Sequence, residues 1–157
     1  MSLGALPTAA ASLAAAPIAA QSSLPHYASP TGNDPIVIRR FHMGENNWNP
    51  GHRGIDIGTV DGDPIYASSS GTVVYAGVLN DRSIVSIEDA RGIRTTYEPV
   101  DTELSVGDVV SQGELIGHVT GAHCIVGSCL HFGAKRGSDG YINPLLLLYP
   151  QRIALLG

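Results

Sequence analysis

The sequence predicts a small all-β domain, an antiparallel β-sandwich or a partly open barrel. Gly (19) and Pro (10) are frequent among its 157 residues, which favours turns and short strands over long helices. Short runs of β-branched and aromatic residues recur between these turn residues. Only residues 143–148 are typical of a helix. A chain of this length usually forms one domain.

The predicted strands follow one another closely along the chain. Asn80-Asp81 and Arg91-Gly92 are turn signals, and the second of them joins two predicted strands as a hairpin. At the predicted helix, Asn143 can serve as the N-cap and Pro144 can occupy the first turn. The candidate strands are residues 35–38, 71–77, 83–88, 93–97, 108–110, 114–119 and 129–134.

Charge and cysteine content exclude several classes of protein. The formal net charge is −5, and the only lysine is Lys135. A nucleic-acid-binding protein needs a basic face, and anchoring to an anionic membrane needs clustered basic residues, so neither is expected. Two cysteines are too few for a disulfide-dense scaffold or a zinc ribbon.

The first part of the chain differs in composition from the rest. Residues 1–20 are rich in alanine, no residue before Asp34 is charged, and Pro7 and Pro17 interrupt the apolar stretch. These features favour a secretory leader over a membrane span, although the basic start of a leader is missing. We therefore expect a leader-like segment and flexible linker in 1–33, a domain in 34–150, a short tail in 151–157, and export from the cytoplasm.

The first motif that carries chemistry is Gly51-His52-Arg53-Gly54-Ile55-Asp56-Ile57-Gly58. Its glycines make a helix improbable, so the segment is expected to form a tight loop that leads into a strand. Glycines allow the backbone to pass close to something small, such as a metal ion. A surface histidine with a turn-capping aspartate is the alternative interpretation.

The second motif is Cys129-Leu130-His131-Phe132-Gly133. On a strand, Cys129 and His131 point to one face, while Leu130 and Phe132 point to the core. Two histidines and one carboxylate from the two motifs suit a catalytic zinc site with three protein ligands and one open position. An ordinary strand with a polar outer face remains the alternative for the second motif alone.

Together these motifs resemble those of lysostaphin-type (LytM-like) zinc metallopeptidases of family M23, and the resemblance extends over residues 36–148. It implies that His52, Asp56 and His131 hold Zn²⁺ in a small antiparallel fold of the duplicated hybrid motif type. It also implies a secreted or envelope enzyme that cleaves peptide stems or cross-bridges of bacterial peptidoglycan. Nothing in the sequence suggests more than a monomer.

Two positions depart from the family pattern, and both concern residues that assist catalysis. Cys129 replaces the first histidine of the family's His-x-His motif, and Pro99 replaces the second customary helper. His123 is the first candidate to assist instead. Strand alternation is expected to turn the Glu98 carboxylate away from position 99. The alternative function is a catalytically degenerate envelope module that binds peptidoglycan or regulates another murein hydrolase.

The cysteines and two other residues have two interpretations each. In an oxidising envelope, a Cys124–Cys129 disulfide is expected, whereas a reduced Cys129 could act as a fourth zinc ligand. Trp48 and Arg53 are candidate substrate-binding residues. Trp48 could instead anchor its loop on the core, which is the favoured interpretation, and Arg53 could pair with a nearby acid.

Overall fold

The computed structural model describes residues 4–5, 26–44, 51–121, 124 and 127–150 of the chain. These residues form antiparallel strands and one short helix. The elements are β1 (Val37–Arg39), β2 (Gly54–Thr59), β3 (Pro64–Tyr66), β4 (Gly71–Leu79), β5 (Arg82–Glu88), β6 (Ile93–Glu98), β7 (Val100–Asp101), β8 (Val109–Val110), β9 (Leu115–Val119), β10 (Ser128–Arg136), β11 (Gly140–Ile142) and α1 (Pro144–Leu148).

The strands form two sheets. The larger sheet has eight strands in the order β1-β2-β10-β6-β5-β4-β8, with β11 paired to β10 outside this path. The smaller sheet has the order β3-β9-β7. Every strand pair is antiparallel, and within the described residues the strand order does not close into a barrel. The all-β antiparallel prediction is therefore confirmed, in its open rather than its closed form.

The core explains how the larger sheet presents its functional face. Ile55 and Ile57 on β2, and Leu130 and Phe132 on β10, are fully buried. Successive side chains on a strand point to opposite faces, so the residues between them face away from this core. The expected inward orientation of Leu130 and Phe132 is confirmed, and Asp56 and His131 emerge on the other side of the sheet.

Most predicted elements are present with small changes in their ends. Asn143 caps α1 by accepting a hydrogen bond from the Leu145 amide, and Pro144 stands in the first turn, as predicted. β2 begins at Gly54, inside the segment that was expected to form a tight loop, and β3, β7 and β11, of two or three residues each, were not predicted. Such short runs carry too little periodicity to distinguish a strand from a turn.

The segment before Asp34 departs from the expected flexible linker. Tyr27 is 2% exposed and belongs to the hydrophobic core. Its amide donates to the Leu147 carbonyl, and its hydroxyl donates to the Asp89 carboxylate. The composition of this segment is typical of a linker, but Tyr27 packs in the core, and the backbone of Ala28 and Pro30 also forms hydrogen bonds with the domain.

Candidate metal centre

The site is built on one row of residues that crosses four neighbouring strands. Arg39 on β1 lies opposite Asp56 on β2, Asp56 lies opposite His131 on β10, and His131 lies opposite Glu98 on β6. We call these four residues the cross-strand row. Directly opposed residues place their side chains on the same face of a sheet, so register alone gathers residues that are distant in sequence.

His52 joins this row from the segment just before β2. Its backbone forms an isolated bridge with His42, with hydrogen bonds of 2.8 and 2.6 Å in the two directions. The ring Nε2 of His52 lies 3.0 Å from Oδ1 of Asp56, and Nδ1 of His131 lies 2.9 Å from the same oxygen. The three predicted zinc ligands therefore converge, with one ligand atom from each within 4.8 Å of the others.

The hydrogen bonds of His52 define which of its nitrogens is free to bind a metal. Nδ1 lies 2.9 Å from the backbone carbonyl oxygen of Arg40. A carbonyl oxygen only accepts, so Nδ1 carries the proton and Nε2 of the neutral ring has a lone pair. That lone pair faces the Asp56 carboxylate, which is also an acceptor, and two facing acceptors need a cation or a further proton between them. The donor set and its orientation fit Zn²⁺.

The electrostatics of Asp56 agree with a carboxylate poised for a cation. Burial, the largest influence, would by itself raise the pKa of Asp56. Hydrogen bonding from His131, and the positive charge that both histidines carry when they are protonated, outweigh burial, so the pKa of Asp56 is held below its ordinary value. Asp56 is therefore ionised at neutral pH, as a metal ligand must be.

Gly54 lets β2 and β10 approach closely beside the ligands. A Cβ atom added at Gly54 would lie 2.6 Å from the Phe132 carbonyl oxygen and 2.8 Å from the His131 ring. Real Cβ atoms essentially never make contacts this short. The glycine in the first motif thus makes room for a ligand of the second.

The converging side chains open into a cleft of about 260 Å³. The cleft includes charged residues that the sequence did not associate with the site. Glu98 lines it together with Pro99, so the expectation that Glu98 turns away is wrong. The alternation of side chains along a strand does not extend from Glu98 to Pro99, because β6 ends at Glu98. The residues that line the cleft are Arg39, His52, Asp56, Arg82, Glu98, Pro99, Cys129 and His131.

Three candidate residues lie elsewhere or are not described. Arg53 is exposed, packs its guanidinium 4.7 Å from the centre of the Tyr141 ring, and is not among the residues that line the cleft. Trp48 and His123 lie outside the described residues. Arg39 and Arg82 were missed because only the register of distant strands brings them to the metal centre.

Cys124 and Cys129 form a disulfide in the structure, with their Cα atoms 5.7 Å apart. Cys129 is buried at the cleft, next to the ligands. A disulfide sulfur is no thiolate, so this pairing is incompatible with Cys129 as a fourth zinc ligand. It also leaves Cys129 without a thiol that could transfer a proton in catalysis.

Comparisons with known proteins agree with this geometry. An uncharacterized protein of Mycobacterium tuberculosis, Rv2891, is 44% identical over 126 residues, which are 77% of this chain and 51% of that protein. The DD-carboxypeptidase/endopeptidase Mpg of Neisseria meningitidis is 29% identical over 71% of this chain and 26% of its own length. The chain thus spans about half or less of the length of these relatives.

Solved structures and a family model identify the family of this chain. Lysostaphin from Staphylococcus simulans superposes with a TM-score of 0.68 at 25% identity, covering 80% of this chain and 55% of lysostaphin. The model of peptidase family M23 matches residues 50–144, which include both motifs. The chain therefore belongs to peptidase family M23.

Proposed function

We propose that this chain is a zinc metalloendopeptidase that hydrolyses peptide bonds of bacterial peptidoglycan. The observation that carries the proposal is the convergence of His52 Nε2 and His131 Nδ1 on the Asp56 carboxylate at 3.0 and 2.9 Å. A zinc ion held by these three atoms would supply a Lewis acid for a peptide carbonyl and acidify a water molecule.

The surroundings of the triad support an open rather than a closed metal site. The His131 side chain is 34% exposed, while those of His52 and Asp56 are 9% and 13% exposed. Solvent and substrate thus approach from the His131 side through the cleft. A structural zinc site usually has four protein ligands, whereas a catalytic site keeps one position open.

Another group must assist proton transfer, because Pro99 has no titratable side chain and Cys129 is bonded to Cys124. We propose His123 as the first candidate, since it belongs to the segment that the disulfide ties to β10. We also keep Trp48 and Arg53 as proposed substrate contacts; Arg53 lies outside the cleft described above.

The proposed place of action is the cell envelope. The alanine-rich start of the chain, the disulfide and the match to lysostaphin all support an extracytoplasmic location. Among the described residues, no helix has the length and apolar character required to cross a membrane. We propose residues 34–150 as the peptidase unit, stabilised by the packing of Tyr27 from the preceding segment.

The test is the release of soluble peptides from purified peptidoglycan by the zinc-loaded chain. We expect release by the parent and none by His131→Ala, because that substitution removes one of three ligands. His123→Ala follows: a decrease of roughly 100-fold with zinc still bound would assign it general acid–base assistance. Walls of several cross-link types should be compared, since the bond that is cleaved is part of the proposal.

The second candidate is a non-catalytic envelope module that binds peptidoglycan or regulates another murein hydrolase. Pro99 and the disulfide-bonded Cys129 at the edge of the cleft favour it, since neither transfers a proton. No peptide release on any wall type, with zinc bound and peptidoglycan retained by the protein, would support this candidate and contradict the enzyme.

A further inference from the structure

We propose that Arg39 binds a carboxylate group of the substrate, so that the cleft selects peptides with a free acidic group beside the scissile bond. This inference rests on the proposed function and names its substrate class. It depends on the position of Arg39 in the cross-strand row, on its lack of an ion-pair or hydrogen-bond partner among the described residues, and on the charge balance of the cleft.

The sheet register places Arg39 beside the proposed zinc ligands. It is the last residue of β1, stands opposite Asp56 in the sheet register, and lines the same cleft as His131. Opposed residues of antiparallel strands have their Cα atoms about 5 Å apart, and long side chains also reach diagonal neighbours at about 7–8 Å. A carboxylate on Arg39 would therefore lie within about two residues of a peptide bond at the metal centre.

Arg39 and Arg82 differ in what their guanidinium groups already bind. Nη1 of Arg82 donates to Oε1 of Glu98 at 3.0 Å, so the charge of Arg82 is compensated within the protein. In the described part of the chain, the Arg39 side chain has neither an ion pair nor a hydrogen bond. An exposed guanidinium in a cleft offers a planar pair of donors that matches a carboxylate.

The charge balance of the cleft favours an anionic ligand, although the whole chain carries a net charge of −5. The two arginines that line the cleft balance its two carboxylates, Asp56 and Glu98. A divalent cation held by the triad then makes the cleft positive. Local charge of this kind raises the concentration of oppositely charged ligands at a site.

The experiment compares two probes that differ in one group. The first is an N-acetylated alanine tripeptide with a free C-terminal carboxylate, and the second is the same peptide with a C-terminal amide. Binding to the full chain is followed by NMR titration, with zinc-loaded and with zinc-free protein, because a carboxylate also binds zinc directly. Arg39→Gln is compared with the parent.

Arg136→Gln is the matched control. Arg136 is an exposed arginine that ends β10 in the same sheet, but it lies about 17 Å along the strand from His131 and on the opposite face. We expect Arg39→Gln to weaken binding of the carboxylate probe about tenfold, with little change for the amide probe. Arg136→Gln should leave the binding of both probes unchanged.

Two outcomes would overturn the inference. Arg39→Gln could bind the carboxylate probe as tightly as the parent, or it could lose both probes to the same extent. These outcomes are separable from failure of the proposed function, because binding is measured without turnover. Peptide release that is the same in Arg39→Gln and the parent contradicts the inference alone, whereas Arg39-dependent binding without any release contradicts only the enzyme.

Discussion

Single residues set the chemistry of the proposed metal centre. The proton on Nδ1 of His52 is held by the Arg40 carbonyl, which directs the lone pair of Nε2 to the Asp56 carboxylate. Hydrogen bonds of this kind, made by the second nitrogen of a ligand histidine, fix its tautomer and its ring orientation. Here a main-chain carbonyl fixes the tautomer, and this role depends on no side chain, so no sequence motif predicts it.

Tyr27 is the residue whose contribution to stability has a defined pH dependence. Burial raises the pKa of Tyr27 above its ordinary value of 10.0, and the hydrogen bond to Asp89 raises it further. The stabilisation is therefore complete below about pH 10 and is lost as the pH rises further, because the unfolded chain ionises first.

Tyr27→Phe should lower the free energy of unfolding by about 1–2 kcal/mol at neutral pH, since it removes a hydrogen bond to a charged group. The difference from the parent should shrink above pH 10. Tyr75→Phe, at a half-buried tyrosine on β4, should change stability by less than about 0.5 kcal/mol. Denaturant unfolding at neutral and alkaline pH measures both variants. If the destabilisation caused by Tyr27→Phe grew with pH, this role of the Tyr27 hydroxyl would be contradicted.

The sequence predicted the three residues that converge as a candidate metal site, whereas it did not predict their neighbours in the cleft. His52, Asp56 and His131 belong to two short motifs whose residue types and spacing point to a metal. Arg82 and Glu98 belong to no metal-binding motif. Glu98 reaches the cleft because it stands opposite His131, and Arg82, from β5, forms an ion pair with Glu98. Register between distant strands follows from core packing and turns, which a local pattern does not reveal.

At the scale of elements, close contact between β2 and β10 positions the ligands. Gly54 and Gly133 lie opposite each other on these strands, but only Gly54 has no room for a side chain. A Cβ atom added at Gly133 would lie 3.6 and 3.8 Å from its two nearest neighbouring atoms, which is ordinary van der Waals contact.

Gly54→Ala should therefore displace the His131 ring. We expect a loss of about 1–3 kcal/mol in stability from overpacking, and zinc affinity reduced by about 10–100-fold. Gly133→Ala is the matched control on the facing strand and should retain the affinity of the parent. Metal competition titrations and denaturant unfolding provide the two readouts. Equal zinc affinity in both variants would show that Gly54 does not position His131.

At the scale of the whole molecule, residues before Asp34 pack on the core although their composition is typical of a linker. Tyr27 contacts α1 through the Leu147 carbonyl, and the amide of Ala28 donates to the Ser68 carbonyl. The sequence predicted the class of fold because strand and turn residues alternate along the chain. It did not predict this packing, since an isolated aromatic in a Ser/Pro-rich segment gives no periodic pattern.

The arrangement of the sheets concentrates the charged groups of the site on one face. Buried Ile55, Ile57, Leu130 and Phe132 form the other face of the same strands. The core and the metal centre therefore depend on the same registers, and a slip by one residue would exchange their faces. Binding of zinc should thus report directly on whether the molecule is assembled as described.

Zinc binding by variants of the proposed ligands tests whether His52, Asp56 and His131 form a metal centre. The parent should bind about one zinc ion per chain, and Asp56→Ala should weaken binding by at least about 100-fold, because the shared carboxylate is lost. Asp101→Ala, which removes an exposed carboxylate on β7, should bind zinc like the parent. If Asp56→Ala, still folded by circular dichroism, retained the parent's zinc affinity, the triad would not be the metal centre.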